Sequence, residues 1–196
     1  RAVEATEEGR FDEEIAPITG HDEDGNEVTV TEDEGTRPGT TAEKLAELPT
    51  VFKEDGTVTP GNASQISDGA AGVLVTSEEF AKENDLEILA EVGMSGVAGV
   101  DPTIMGIGPV PAVERLLQKT GLSVADFDVI ESNEAFAAQA IAVSRGLDLD
   151  PTKTNVNGGA IALGHPIGAS GAVIATKAIH EMHRVGGRYC LATMCI

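Results

Sequence analysis

Strand-like and helix-like runs alternate from residue 70 onward and are joined by short connections. The strand candidates are apolar runs bounded by turn residues, at 70–76, 86–92, 127–130, 154–157 and 189–196. The intervening helices are predicted for 77–84, 109–121, 133–144 and 169–184. The run at 70–76 is continuously apolar, as expected of a strand that is buried on both faces. This alternation is typical of α/β layers and excludes an all-α or all-β fold.

The first 67 residues carry weaker signals. A helix-compatible run lies at 2–8, and alternation at 27–31 predicts a hairpin in a loop region with little core. A short helix is predicted at 42–48, with Thr41 as its N-cap and Pro49 directly behind it. This part of the chain therefore reads as loops, one hairpin and short helices.

Charge is the unusual part of the composition. Thirteen Lys and Arg stand against 33 Asp and Glu, so the net charge is −20. Nucleic acids and anionic membranes are excluded as partners, because binding phosphates needs clustered Lys and Arg. In molar salt the screening length is only about 3 Å, which would suppress the self-repulsion. A salt-loving source is our hypothesis, and a moderately acidic protein from an ordinary source is the alternative.

Location and completeness follow from what the sequence contains. No apolar run approaches the roughly 18 residues of a membrane span, and no secretory segment opens the sequence. Cys190 and Cys195 are five residues apart, which on a strand places them on opposite faces and disfavours a disulfide. A reducing cytoplasm is the predicted location. The sequence starts at Arg1 and stops at Ile196 directly after a strand-like run, so we expect a fragment.

One histidine lies in a glycine-rich stretch between a strand candidate and a helix candidate. His165 precedes Pro166 and has glycines on both sides, a pattern that aims an imidazole rather than filling a core. Asn133 and Cys195 also lie at ends of strand or helix candidates, where open α/β sheets build their sites. An imidazole can take a thiol proton, a cysteine can act as nucleophile or acid/base, and an amide can anchor an oxyanion. The set predicts acyl transfer.

Each of these residues also has a purely structural interpretation. Asn133 is a good N-cap for the helix that follows it. Cys195 in an apolar strand would ordinarily be a small core residue. His165 favours a functional role, since a core histidine needs no flanking glycines. His180 and His183 share a helix face but lack a third ligand, so no metal site is predicted.

Five segments, in order, resemble motifs of the thiolase family. Residues 157–171, N-G-G-A-I-A-L-G-H-P-I-G-A-S-G, resemble a thiolase signature, and residues 133–136 match the N-E-A-F motif. Residues 192–196 match the start of the C-x-G-G-G strand, and 61–64 and 105–109 also resemble thiolase segments. The resemblance covers essentially the whole chain.

The resemblance implies a fold and an activity. The fold would be α/β and thiolase-like, layered α-β-α-β-α in the full protein. The activity would be Claisen condensation of acetyl-CoA or thiolysis of a 3-ketoacyl-CoA, with coenzyme A thioesters as substrates and no permanently bound cofactor. Residues 1–67 would belong to the loop domain that covers coenzyme A, 68–90 to the end of the N-terminal half, and 91–196 to the C-terminal half.

The resemblance also implies roles for single residues. His165 would activate the acylated cysteine and donate to the thioester oxygen, together with a water held by Asn133. Cys195 would exchange the proton on the α-carbon. The residues implied in coenzyme A binding are Ser64, Phe52, Ala135, Phe136 and Arg37, the last near the adenine nucleotide. For Arg37 the alternative is a surface ion pair.

The acylated cysteine of the family belongs to an N-terminal half that we expect this chain to lack. Cys190 and Cys195 do not lie in its motif, and Cys190 is assigned no role. We therefore predict that the full-length protein is an acyltransferase, a homodimer or homotetramer, and that the fragment alone is inactive. The alternative is a non-catalytic subunit that binds coenzyme A thioesters or lipids and needs a partner chain.

Overall fold

The computed structural model describes residues 1–196 and contains seven α-helices and four short strands. The helices are α1 (Ala2–Glu7), α2 (Ala42–Ala46), α3 (Glu78–Glu83), α4 (Pro109–Thr120), α5 (Ala137–Leu147), α6 (Ala160–Leu163) and α7 (Ser170–Val185). The strands are β1 (Ile18–His21), β2 (Glu27–Val30), β3 (Val129–Ser132) and β4 (Cys190–Thr193). Two 3₁₀ segments lie at Pro102–Ile107 and Val124–Asp126. No helix combines the length and the apolar character needed to cross a membrane.

The antiparallel hairpin of β1 and β2 is almost entirely exposed to solvent. Ile18 pairs with Val30 and His21 pairs with Glu27 at its two ends. Almost all of its side chains are exposed, so no hydrophobic face holds it against the rest of the chain. The hairpin predicted from the alternation of residues 27–31 is confirmed, and so is the expected lack of a core there.

The main core forms around the parallel pair of β3 and β4, which places the candidate site. The register runs from Val129 opposite Cys190 to Ser132 opposite Thr193. Helices α4 and α5 contribute to the apolar cluster on one face of the strand pair. Helix α7 contacts both strands and lies on the face that carries Glu131. The cluster comprises Val113, Phe127, Ile130, Val143, Leu147, Leu149 and Leu191. The predicted α/β class is confirmed.

Helices with strong end signals form where the sequence predicts them. Thr41 accepts a hydrogen bond from the backbone of Lys44 and caps α2, and Ser77 caps α3 in the same way. Helix α4 begins at Pro109 and ends at Gly121, whose φ of 72° lies in the left-handed region that glycine adopts without strain. These signals are local, so they act without help from distant parts of the chain.

Two predicted strands, at 70–76 and 86–92, are absent from the structure. Residues 70–76 make no backbone–backbone hydrogen bond, and their side chains are exposed rather than buried. The second segment is contacted instead by a side chain, since His183 Nε2 lies 2.6 Å from the carbonyl oxygen of Leu89. A strand exists only when another strand pairs with it, and no strand of this chain lies beside either segment. Both predictions are therefore wrong for this chain.

The strand predicted at 154–157 is reduced to a single bridge beside β3, and the helix predicted from residue 133 begins later than expected. Thr154 bridges Ile130, and then the chain turns away at Asn155, whose φ is 45°. The helix predicted from residue 133 begins at Ala137, because Asn133 continues the ladder by donating to Thr193 O at 2.9 Å. Asn133 is therefore not a helix N-cap, and its structural interpretation is wrong.

Candidate active site at the carboxyl edge of the parallel strands

Asn133 and Cys195 lie at the same edge of the parallel strand pair. Asn133 directly follows β3, and Cys195 lies two residues beyond the end of β4. Cys195 is thus outside the strand in which the sequence placed it. Only 3% of the Asn133 surface is exposed, and Cys195 is also buried. Parallel strands bring their carboxyl ends to one edge, where polar groups converge in a dry environment.

His165 reaches this edge from the loop between α6 and α7. Its backbone N–H donates to Ser67 Oγ at 2.9 Å, which anchors the loop to a distant segment. Gly164, before it, has a φ of 104°, and a Cβ there would lie 2.5 Å from Ser67 Oγ. Glycine is therefore required at this position both for its conformation and for the close approach. Of the two glycines that flank the histidine, only Gly164 is required in this way, because a Cβ at Gly168 would meet no atom within 4 Å.

The hydrogen bonds of His165 define which ring nitrogen carries the proton and which can accept one. Ser170 Oγ donates to Pro166 O at 2.9 Å, so its oxygen accepts from His165 Nδ1 at 2.6 Å. The ring proton then resides on Nδ1, and Nε2 offers its lone pair to Asn133 Nδ2 at 3.2 Å. The result is an imidazole that is oriented on one side and basic on the other. Ser170 was missed by sequence reasoning, and its position five residues after His165 was the available signal.

Burial raises the pKa of both cysteine thiols. It raises the pKa of the Cys195 thiol above its usual value, so this thiol stays protonated at neutral pH. Burial also raises the pKa of Cys190, which lies in β4 opposite Val129. Both are free thiols. A buried thiol with a raised pKa suits proton exchange better than it suits nucleophilic attack, and its thiolate is a stronger base.

A second group of predicted residues meets at the surface. The backbone N–H of Ser64 donates to Ala135 O at 3.0 Å, and Ala63 bridges Phe136 in an antiparallel contact. The rings of Phe52 and Phe136 pack edge to face with centroids 6.3 Å apart, although Phe52 is 74% exposed. The structure thus brings Ser64, Phe52, Ala135 and Phe136 together, with an apolar surface open to solvent.

Arg37 lies apart from this aromatic pair. Its side chain is exposed and joins no salt bridge, so the surface ion pair considered for it is absent. Gln65 Nε2 anchors the nearby loop by donating to Gly35 O at 2.8 Å and to Ala162 O at 2.9 Å. The guanidinium is therefore free to meet an anion, on a loop that is fixed to α6.

A cavity of about 460 Å³ lies between α7 and residues 68–72, next to Asn133 and Ser170. Glu131, only 3% exposed, lines it, and burial raises the pKa of this carboxyl to about 8. Lys177 lowers this pKa to a smaller extent, and Glu14, which is paired with Lys177, raises it. Sequence reasoning missed Glu131, since a strand pattern does not reveal which polar residue loses its solvent.

Family models of the N-terminal and the C-terminal domain of thiolase match residues 1–79 and 86–196. The chain belongs to the thiolase family. The resemblance of the five sequence motifs is thereby confirmed. In this thiolase chain, His165 contacts Asn133 directly behind β3, and Cys195 lies two residues beyond the end of β4.

Curated relatives cover this thiolase chain at high identity. It is 54% identical over 192 residues to a mitochondrial 3-ketoacyl-CoA thiolase of Mus musculus, a match that covers 98% of the chain and 48% of the relative. It is 52% identical over 196 residues to an acetyl-CoA acetyltransferase of Pseudomonas aeruginosa, covering 100% of the chain and 50% of the relative. The chain thus spans about half the length of the curated relatives it matches.

Solved structures confirm the thiolase-like α/β fold. The Bacillus anthracis acetyl-CoA acetyltransferase superposes with a TM-score of 0.95 at 50% identity, covering 100% of this chain and 49% of that one. Human mitochondrial 3-ketoacyl-CoA thiolase in complex with CoA gives a TM-score of 0.88 at 46% identity, with coverage of 100% and 48%.

The prediction of a cytoplasmic location is wrong. Relatives from mouse, cattle and human are mitochondrial proteins by name. The prediction rested on the spacing of two cysteines, which separates reducing from oxidising compartments. It does not separate one reducing compartment from another, so the thiols of this thiolase chain carry no finer information on location.

Proposed function

We propose that the protein carrying this chain transfers acyl groups between coenzyme A thioesters by thiolase chemistry. The observation that supports this most is His165 at the buried strand edge, with Nδ1 committed to Ser170 and Nε2 facing Asn133. An imidazole that is oriented through Nδ1 and keeps Nε2 unprotonated is the base that a thiol nucleophile requires. The names of the relatives, 3-ketoacyl-CoA thiolase and acetyl-CoA acetyltransferase, support the same reaction class.

In the proposed acylation step, His165 Nε2 takes the proton of a nucleophilic cysteine that lies outside these 196 residues. The thiolate attacks the thioester carbonyl, and the coenzyme A thiolate leaves with the proton that the imidazole returns. Asn133 Nδ2 lies 3.2 Å from His165 Nε2. Asn133 is proposed to hold a water there, so that this water and the protonated Nε2 both donate to the developing oxyanion. Low exposure strengthens these hydrogen bonds, because little solvent competes at the strand edge.

In the proposed carbon–carbon step, Cys195 moves the proton of the α-carbon. During condensation its thiolate removes a proton from the acetyl group of the second thioester, and the resulting carbanion attacks the acyl-enzyme carbonyl. The bond between the acyl carbon and the sulfur of the nucleophilic cysteine then breaks, and this cysteine leaves as a thiolate. During thiolysis its thiol returns the proton to the leaving acetyl carbanion. The raised pKa of Cys195 suits both directions, since the thiol is kept protonated and its thiolate is strongly basic.

Coenzyme A is proposed to bind along the surface formed by Ser64, Ala135 and the Phe52–Phe136 pair. Exposed aromatic rings that pack on each other offer an apolar surface to the pantetheine arm. Arg37 has no carboxylate partner and is proposed to meet the nucleotide phosphates. The solved complex of a human relative with CoA supports this choice of ligand.

We also propose a domain assignment and an oligomeric state. Residues 1–67 are assigned to the loop domain over coenzyme A, 68–90 to the end of the N-terminal half and 91–196 to the C-terminal half. The nucleophilic cysteine is assigned to the other half of the enzyme. A further half outside these residues is supported by the coverage, because the chain matches only about half of each relative. A homodimer or homotetramer is the proposed assembly.

The activity is tested by mixing the whole protein with acetoacetyl-CoA and CoA and following the loss of the acetoacetyl-CoA enolate absorbance. We expect cleavage that depends on CoA, and no cleavage by the 196-residue chain on its own. Binding of coenzyme A thioesters without turnover by the whole protein would instead identify a non-catalytic subunit. If the whole protein shows neither binding nor turnover, the proposal is refuted.

Truncation of the aromatic pair is expected to weaken coenzyme A binding without slowing chemistry. Phe52→Ala should raise the KM for CoA about 3- to 10-fold, the loss expected for one aromatic contact, and leave kcat within about twofold. Phe80→Ala on α3 is the matched control, because this ring is also exposed but forms no aromatic pair. A KM that changes equally in both variants would contradict the proposed surface.

A further inference from the structure

We infer that Glu134 is a positioning residue that fixes the distance between Asn133 and His165. Its carboxylate accepts two hydrogen bonds from the far side of the site, one on each oxygen. Asn155 Nδ2 donates to Oε1 at 3.1 Å, and the backbone N–H of Ile161 donates to Oε2 at 3.3 Å. Glu134 is covalently next to Asn133, while Ile161 lies in the segment that leads to His165. The carboxylate therefore joins the two chain segments that carry the site.

Asn155 extends this connection into the sheet. Its Nδ2 also donates to Ser132 O at 2.8 Å, and its Oδ1 accepts from the Ser132 backbone N–H at 2.9 Å. The side-chain amide thus replaces the next rung of the ladder after the chain has turned away from β3. Asn155 is buried and carries a φ of 45°, a conformation that asparagine tolerates better than most residues. Ser132, Asn155 and Glu134 form one continuous brace beside Asn133.

Gly159 provides the space in which the Glu134 carboxylate packs against the loop that carries His165. A Cβ at this position would lie 2.3 Å from Glu134 Cδ and 2.3 Å from Oε2. The carboxylate therefore packs directly against the backbone of the loop that carries His165. Gly159 has a φ of −123°, which any residue adopts, so the requirement for glycine here is one of space. An added methyl group would push the carboxylate away without changing its charge.

The chemistry of the brace requires a carboxylate rather than an amide. Both contacts are N–H donors, so both oxygens of Glu134 must accept. Glutamine has the same shape but offers one acceptor and one N–H₂ group, which would face a donor. Glu134→Gln therefore keeps the packing and loses one of the two hydrogen bonds, while also placing two donors against each other.

The consequence for catalysis rests on the proposed function, because it concerns the Asn133–His165 pair that activates the thiol. Misplacement of a catalytic group by about 1 Å can lower the rate by about 100-fold. We expect Glu134→Gln to lower kcat about 10-fold and Gly159→Ala about 100-fold, with the KM for the acyl-CoA unchanged within about twofold. Glu114→Gln, on the exposed face of α4, is the matched control and should leave both constants unchanged.

A second readout does not depend on activity. In the whole protein, the ¹⁵N resonance of His165 Nε2 reports whether its lone pair accepts a hydrogen bond from Asn133. In both brace variants we expect it to move toward the value of an unbonded pyridine-type nitrogen. The imidazole resonances of His180 and His183, farther along α7, serve as internal references and should not move.

The outcomes separate the two proposals. If the wild-type protein does not cleave acetoacetyl-CoA, the proposed function fails, and the His165 resonance still decides the role of Glu134. If the wild type is active and both variants retain its kcat and its Nε2 resonance, the inference is overturned. Should Glu134→Gln fail to fold, Gly159→Ala provides the same decision, because it displaces the carboxylate while every polar group is retained.

Discussion

Replacing His165 by alanine should lower kcat by about 10⁴-fold in the whole protein. The loss combines the two roles proposed for His165, general base and donor to the oxyanion, and each such group contributes a factor of 10² or more. The effect should lie in kcat and in the acylation step, because the imidazole contacts Asn133 and Ser170 and not the aromatic pair proposed to bind coenzyme A. Single-turnover acylation by acetyl-CoA followed by mass spectrometry measures this step directly.

The control for this substitution is His21→Ala. His21 is an exposed histidine at the end of β1, in a hairpin without a core. It should retain wild-type kcat and the wild-type rate of acylation. An acylation rate for His165→Ala within about tenfold of wild type would remove the base from the mechanism. The hydrogen bonds to Asn133 and Ser170 would then be structural only.

The second large effect concerns stability and comes from Glu131. Glu131→Gln should stabilise the protein by about 2–5 kcal/mol at pH 8. Burial raises the pKa of the folded-state carboxyl to about 8, from an ordinary value of 4.5. Between these two pH values the native state holds a proton that the unfolded state releases. Stability of the wild type therefore falls as pH rises through this window and stays level, for this group, above it.

Glutamine cannot ionise, so it removes this slope while preserving the shape of the side chain. Denaturant unfolding at pH 5, 6.5 and 8 should show the variant and the wild type nearly equal at the lowest pH and progressively farther apart above it. Glu114→Gln, which replaces an exposed carboxylate, should follow the wild-type curve. Parallel curves for wild type and Glu131→Gln would show that the buried carboxyl finds compensation as an anion.

The elements that the sequence predicted well are those whose signals are local. Helix α4 has prolines in its first turn and Gly121 behind its last residue, and α3 has Ser77 as its cap. The runs at 70–76 and 86–92 have the composition of strands, but pairing depends on a neighbour that composition cannot supply. The same limit explains Asn133, whose cap-like sequence position gave way to a ladder bond with Thr193.

The sequence names the candidate residues of the site but not the hydrogen bonds that support them. Asn133 and Cys195 are singled out by the rule that polar residues at strand ends converge, His165 by its flanking glycines, and the motifs point to the same three positions. Ser170 and Glu134 lie inside the motifs at 157–171 and 133–136, but their contacts with His165 Nδ1 and with Ile161 N emerge only from the structure. Burial of Glu131 likewise depends on α7 packing over β3.

The exposed apolar run at 70–76 has a consequence for the colloidal behaviour of the chain. In the 196-residue chain by itself, Leu74 is 76% exposed and the backbone of this run is unpaired, so a strand of another copy can add to it. At a net charge of −20, two copies repel each other in dilute buffer before the runs can meet. Near 1 M salt the screening length falls to about 3 Å and this barrier disappears. We therefore expect self-association of this chain to increase with ionic strength.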